Sequence, residues 1–180
     1  MQDTRQKYTA DYYRKHICDT FNPDGSLATD WARRRVTRVF MLLDAESLRG
    51  IVVDAGCGIG TFAALLSRNA QVVALDFSHE AISTAKSVVG TYGNKRVCDF
   101  IVCDVAYLPL ENSSVQTIVA ADLAEHLSDE HFEGFLSNCR RVLRDDGILA
   151  LYTPNATNIF RLGYTRKRVW PFNNPARTLD

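Results

Sequence analysis

The sequence predicts an α/β domain, a three-layer α/β/α sandwich around a mainly parallel sheet. Three observations carry that expectation. Short apolar runs that read as strands alternate with longer stretches of helical periodicity. A glycine-rich turn joins the first strand to a helix within residues 51–62, I-V-V-D-A-G-C-G-I-G-T-F. Acids close three successive strands at Asp54, Asp76 and Asp104. In an open α/β sheet that edge is where ligands bind, and packing alone does not place acids there three times.

Residues 28–43 read as a helix, with Trp31, Val36, Val39, Phe40 and Leu43 near helical spacing and Thr29 or Asp30 as cap. The first strand follows and ends at the glycine turn, whose helix covers residues 61–68. Residues 71–76, Q-V-V-A-L-D, form the second strand, and residues 79–89 the next helix with Ser78 as N-cap. The third strand spans residues 98–104, a polar turn residues 108–114, the fourth strand residues 115–121 and a further helix residues 129–143.

Composition narrows the function classes. A chain of 180 residues suits one domain with a real core. With 21 basic and 21 acidic side chains, no net field argues for nucleic acid or a membrane surface. The cluster Arg166-Lys167-Arg168 reads as solvated surface, so a nucleic-acid partner is not expected. No apolar run approaches the ~20 residues of a membrane helix, and M-Q-D-T-R-Q-K does not read as a signal peptide; a cytoplasmic protein is expected. The cysteines, Cys18, Cys57, Cys98, Cys103 and Cys139, show no C-x-x-C spacing and read as reduced, small apolar side chains.

The glycines Gly56, Gly58 and Gly60 are spaced G-x-G-x-G. Such a turn lets a ligand approach the backbone and directs helix N–H groups at a carboxylate, phosphate or ribose. A dinucleotide fingerprint, G-x-G-x-x-G, would want glycine where this chain has Thr61. Asp76 follows Gly56 by twenty residues, the spacing at which a second-strand carboxylate takes ribose hydroxyls.

The run D-x-G-x-G-x-G from Asp54 to Gly60 resembles the first motif of class I S-adenosylmethionine (AdoMet) methyltransferases. Residues 108–127, L-P-L-E-N-S-S-V-Q-T-I-V-A-A-D-L-A-E-H-L, resemble the fourth-strand region of the small-molecule enzymes related to ubiquinone, sterol and tocopherol methyltransferases. Residues 144–149, R-D-D-G-I-L, resemble the helix end, turn and fifth strand of the same group.

The resemblance implies a Rossmann-like fold, AdoMet as cofactor, S-adenosylhomocysteine (AdoHcy) as product, and methyl transfer to an oxygen or nitrogen of a small molecule. Asp54 and the loop of Gly56, Cys57, Gly58 and Gly60 would face the methionine portion. Asp76 with Phe77 would serve the ribose side, Asp104 and Val105 the adenine, and Asp122 and Leu123 would complete the cofactor set. Residues 123–127 would line the place where acceptor meets methyl. His126 is the candidate base, and Glu125 would orient it or act itself. Asp122-x-x-Glu125-His126 also resembles the E-x-x-E-H metal motif of some quinone and small-RNA methyltransferases, with a shorter first acid; no metal is assigned. A non-catalytic AdoMet-binding module and, with less support, an NAD-dependent oxidoreductase are the alternatives.

Three regions are expected: a helical cap over residues 1–45, an AdoMet-binding core over 46–155, and a basic, aromatic segment over 156–180 that covers the acceptor. Tyr13 and His16 in the cap are candidates to face the acceptor. The family's fold continues past strand five with a helix and an antiparallel strand pair. The residues left after Thr153 are too few for that set at usual lengths, so the pair is expected to be absent and the chain truncated. Strand five would then be an open edge, and a homodimer through that edge or the C-terminal segment is expected.

Overall fold

The computed structural model describes residues 20–153 and the backbone of residues 161–165 and 168–172. Tyr13 and His16 lie outside the described residues. The strands are β1 (Ile51–Ala55), β2 (Gln71–Asp76), β3 (Cys98–Val102), β4 (Val115–Ala121), β5 (Leu143–Tyr152), β6 (Arg161–Thr165) and β7 (Arg168–Phe172). The helices are α1 (Asp30–Phe40), α2 (Thr61–Leu66), α3 (His79–Tyr92) and α4 (Asp129–Val142). Short 3-10 turns follow β3 at Val105–Tyr107 and β4 at Ala124–His126.

One sheet contains all seven strands in the order β3-β2-β1-β4-β5-β6-β7. The five strands β1 to β5 run parallel, which requires the crossover helices seen in the sequence pattern. The order reverses between β1 and β4, neighbours in the sheet though two helix–strand units separate them in the chain. A crevice opens at the carboxyl ends of strands at such a reversal.

Alternation along the central strands builds the layers, because successive side chains leave a strand on opposite faces. Val52 and Val119 point into one core with Phe62, Leu66, Ile82 and Val89 of α2 and α3, and with Val39 of α1. Val53 and Ile118 point into the other, against Phe135, Cys139 and Val142 of α4. Helix starts follow capping chemistry. Thr29 accepts from the Ala32 N–H, Ser78 from the Ala81 N–H and Ser128 from the His131 N–H.

The expected absence of a strand pair after strand five is corrected. An antiparallel hairpin, β6 and β7, follows β5, with Tyr152 opposite Arg161 and Ile148 opposite Thr165. Two five-residue strands fit where elements of ordinary length would not. The edge of β5 is therefore paired with β6, which removes the basis for a dimer through that edge. Among the described residues β7 closes the sheet on that side. No described helix is long and apolar enough to cross a membrane.

Candidate functional site

β1 delivers Asp54 and Ala55 to the glycine turn, and the turn is shaped by what its glycines meet. At Gly60, with φ of +80°, a Cβ would lie 2.8 Å from the Ala85 Cβ and 2.9 Å from its Cα, so α2 and α3 can approach only over a hydrogen. At Gly56 a Cβ would lie 2.8 Å from Leu123 Cδ1, which fits the strand-four neck against the loop. Gly58 differs: its φ is +52° and a Cβ would meet nothing within 4 Å. The loop is closed on both sides and open in the middle, as a backbone cradle for a ligand requires.

Asp54 is 2% exposed, and its Oδ2 accepts from the Ala63 N–H at 2.8 Å, fixing the first turn of α2. Burial pushes this carboxyl up to about 7, against the Ala63 N–H and the Arg35 charge. Asp76, also buried, spans from β2 to the loop: Oδ2 accepts from the Gly58 N–H at 2.9 Å and Oδ1 from the Ser78 N–H at 3.0 Å. Burial raises its pKa as well, opposed by those N–H groups. Each oxygen keeps a second lone pair for a ligand hydroxyl. Phe77 next to it is exposed. The Cys103 N–H donates to the Asp76 carbonyl, so the ends of β2 and β3 are held side by side. The Cys57 N–H donates to the Leu75 carbonyl, and its buried thiol sits under the loop with its pKa pushed well up by burial.

Asp104 accepts from the Ala106 N–H at 2.9 Å through Oδ1, and its Oδ2 lies 3.6 Å from His131 Nε2 of α4. Val105 is buried in the turn that this cap creates. Asp122, directly after β4, takes a left-handed φ of +57° and sends its N–H to the Tyr152 carbonyl. Its Oδ2 accepts from Arg35 Nε of α1, and Oδ1 is buried with no hydrogen-bond partner among the described residues. Burial raises the Asp122 pKa, with the Arg35 charge working against it. Glu125 and His126 are both exposed. Glu125 Oε2 accepts from the Thr153 hydroxyl at 2.7 Å, so it is engaged by β5's end. Among the described residues no three His, Cys, Asp or Glu side chains gather to hold a metal ion.

The expected cofactor set thus falls at adjacent strand ends around one crevice. Thr61 and Arg35 belong to the same neighbourhood and were not foreseen. Thr61 Oγ1 is buried at the foot of the loop, with no hydrogen-bond partner among the described residues. Arg35 stands in a run of three arginines, which reads as surface charge; its i, i+4 relation to Trp31 was the available signal. Open space over Gly58 and orphaned oxygens on Thr61 and Asp122 fit a polar ligand lying across the loop.

Fold and site together define a Rossmann-like α/β protein with a nucleoside-cofactor crevice. A family model described as "Methyltransferase domain" matches residues 52–147, just over half of the chain, and the chain belongs to that family. AdoMet is the cofactor that membership of this family implies. A probable S-adenosylmethionine-dependent methyltransferase of Mycobacterium tuberculosis is 33% identical over 152 residues, covering 84% of this chain and 50% of the relative. The chain therefore spans about half the length of that curated relative. An N-terminal Xaa-Pro-Lys N-methyltransferase 1 of Rattus norvegicus is 35% identical over 101 residues, 55% of this chain and 45% of the relative. The fold matches a Haemonchus contortus phosphoethanolamine N-methyltransferase 1 in complex with phosphoethanolamine and S-adenosylhomocysteine. The TM-score is 0.63 at 24% identity, over 82% of this chain and 32% of that one. It also matches the PH0226 protein of Pyrococcus horikoshii with a TM-score of 0.66 at 19% identity, over 90% and 82% of the two chains.

Proposed function

We propose that this chain transfers the methyl group of AdoMet to a nitrogen or oxygen of a small-molecule acceptor and releases AdoHcy. The observation that carries this reading is the open space over Gly58, whose N–H is held by the Asp76 carboxylate. There a ligand can lie on the loop while its hydroxyls reach the same carboxylate. The sulfonium of the bound cofactor supplies the activated methyl. The protein's work is then to align the acceptor with it and to exclude water.

Residues 122–126 form the neck between cofactor loop and acceptor. Asp122 supplies a half-buried carboxylate there, and His126 stands exposed in the 3-10 turn that follows β4. An acceptor N–H or O–H that attacks the methyl carbon must lose its proton, and His126 is the base within this neck. Nitrogen is favoured by the relatives named above, two of which are N-methyltransferases by name.

The test is transfer of a labelled methyl group from AdoMet to a panel of small amines, phenols and hydroxy acids. Transfer to an amine or hydroxyl that falls at least tenfold in His126→Gln, with AdoHcy affinity unchanged, supports the reading. AdoHcy binding without transfer to any nitrogen or oxygen acceptor would refute it in favour of a binding module.

A further inference from the structure

Helix α4 gives one stripe of its surface to the segment that follows β3. His131, Gly134, Asn138 and Arg141 recur three and four residues apart, so they share a face. Asn138 Nδ2 donates to the Ala106 carbonyl at 2.6 Å. Arg141 donates through Nη2 to the Leu108 carbonyl at 2.7 Å and through Nη1 to the Leu110 carbonyl at 2.8 Å. A Cβ on Gly134 would lie 3.2 Å from that of Ala106, so helix and turn meet closely there. These three residues fix the backbone of the turn. His131 alone of the four faces an acid at a strand end, with Nε2 3.6 Å from Asp104 Oδ2.

The other ring nitrogen, Nδ1, lies 2.8 Å from the Ser128 hydroxyl. In the neutral ring that hydroxyl donates to Nδ1 and the ring proton sits on Nε2; in the imidazolium both nitrogens carry protons. The opposite tautomer would set the Nε2 lone pair against a carboxylate. Nε2–H is therefore directed at Asp104. That acid is committed through Oδ1 to the Ala106 N–H, and Oδ2 keeps a lone pair for one donor beside His131. Its side chain is 38% exposed, so a ligand can reach it. At 3.6 Å the ring limits the swing of the carboxylate rather than closing a full hydrogen bond.

We propose that His131 is a positioning residue for base specificity: held by Ser128, it steadies the Asp104 carboxylate so that the crevice selects a 6-aminopurine. The exocyclic amino group of adenine donates, whereas the carbonyl of hypoxanthine at the same place accepts. A carboxylate held at that place takes the first and repels the second, and a carboxylate that can turn away discriminates less. His131 touches no ligand and acts through Asp104. The inference rests on AdoMet as the ligand of the crevice and on Asp104 at its adenine side, and it adds a residue from α4, outside the strand-end motifs.

The experiment is calorimetric titration of wild-type protein, His131→Leu and His131→Gln with AdoHcy and with S-inosylhomocysteine, its hypoxanthine counterpart. Wild type is expected to prefer AdoHcy. For a half-exposed pair, His131→Leu is expected to weaken AdoHcy about three- to fivefold and to leave S-inosylhomocysteine within about 1.5-fold, so that the preference narrows. His131→Gln, whose amide keeps an N–H donor, is expected to restore it. An equal loss for both ligands would mean that His131 only braces α4. No loss for either would mean that Asp104 holds itself, and a loss that Gln does not restore would mean that the ring merely packs. Each of these results overturns the proposal. If His131→Leu does not fold, nitrogen-15 NMR of His131 in wild type applies the same test: AdoHcy should shift Nε2 and S-inosylhomocysteine should not, and equal shifts overturn it. Wild-type protein that binds both ligands equally would overturn this inference and leave the cofactor reading standing. Binding of neither would overturn the cofactor reading, and this inference with it.

Discussion

Two glycines separated by one residue should respond to the same substitution in opposite ways. Both hold positive φ, so an alanine at either position carries a backbone penalty of roughly 1–2 kcal/mol. At Gly58 the new methyl would meet nothing within 4 Å among the described residues. At Gly60 the new methyl would stand 2.8 and 2.9 Å from Ala85 Cβ and Cα, and a helix backbone cannot turn aside as a side-chain tip can. Overpacking of that kind adds about 1–3 kcal/mol, so Gly60→Ala is expected to lose about 2–5 kcal/mol in total. In a chain of this size that lowers the melting temperature by roughly 4–20 °C, against roughly 2–8 °C for Gly58→Ala. Binding should run the other way: the Gly58→Ala methyl fills the cradle and weakens AdoHcy at least tenfold, about 1.4 kcal/mol. Thermal melts with and without AdoHcy, together with calorimetry, read both quantities. Gly58→Ala protein that binds AdoHcy as wild type does would refute the cradle, and equal stabilities for the two variants would refute the contact with Ala85.

Asp54 makes stability depend on pH. Its folded pKa is raised to about 7, so between roughly pH 4 and 7 the folded state holds a proton that the unfolded chain has released, and stability falls as pH rises through that window. Asp54→Asn keeps an acceptor for the Ala63 N–H and removes the buried charge; denaturant melts should show a flatter pH profile, and an unchanged slope would refute the assignment. Asp76→Ala leaves the Gly58 and Ser78 N–H groups without their acceptor and should abolish measurable AdoHcy binding at tenfold the wild-type Kd, with secondary structure retained by circular dichroism. Phe135→Ala, at the fully buried centre of the α4 face, should cost about 3–5 kcal/mol in chemical denaturation without changing AdoHcy affinity once folded.

Much of the sheet can be read from the chain because each parallel strand is a short apolar run between polar punctuation. β2 and β4 begin and end where the apolar runs do, and Ser78 and Thr29 cap as their side-chain chemistry dictates. The hairpin β6–β7 escaped because its strands are short and its basic, aromatic composition suits a surface cover equally well. Asp54 illustrates a subtler limit. Its position two residues before Gly56 announces a role at the loop, yet the bond to Ala63, nine residues on, exists only once α2 has turned back. Arg35 was illegible for a similar reason. Which of three consecutive arginines points inward depends on how α1 rolls against Phe62 and Asp122, and neither contact is local in sequence. Glu125 sits beside His126 in the chain, but the side chain turns to Thr153.

The β1–β4 pairing has a kinetic meaning as well. The chain must close a loop of some sixty residues before Ile51 can find Val115, and that entropy is lost before the contact returns any energy. The crevice is completed only by that event, since Asp122 arrives after β4 while Asp54 and Asp76 come from β1 and β2. A half-folded chain therefore has at most part of the cofactor site, and the complete crevice belongs to the finished sheet. Cofactor at about a hundred times its Kd would add roughly 2.7 kcal/mol to the native state by mass action. Because the complete site exists only in that state, this gain would fall mainly on the completed fold.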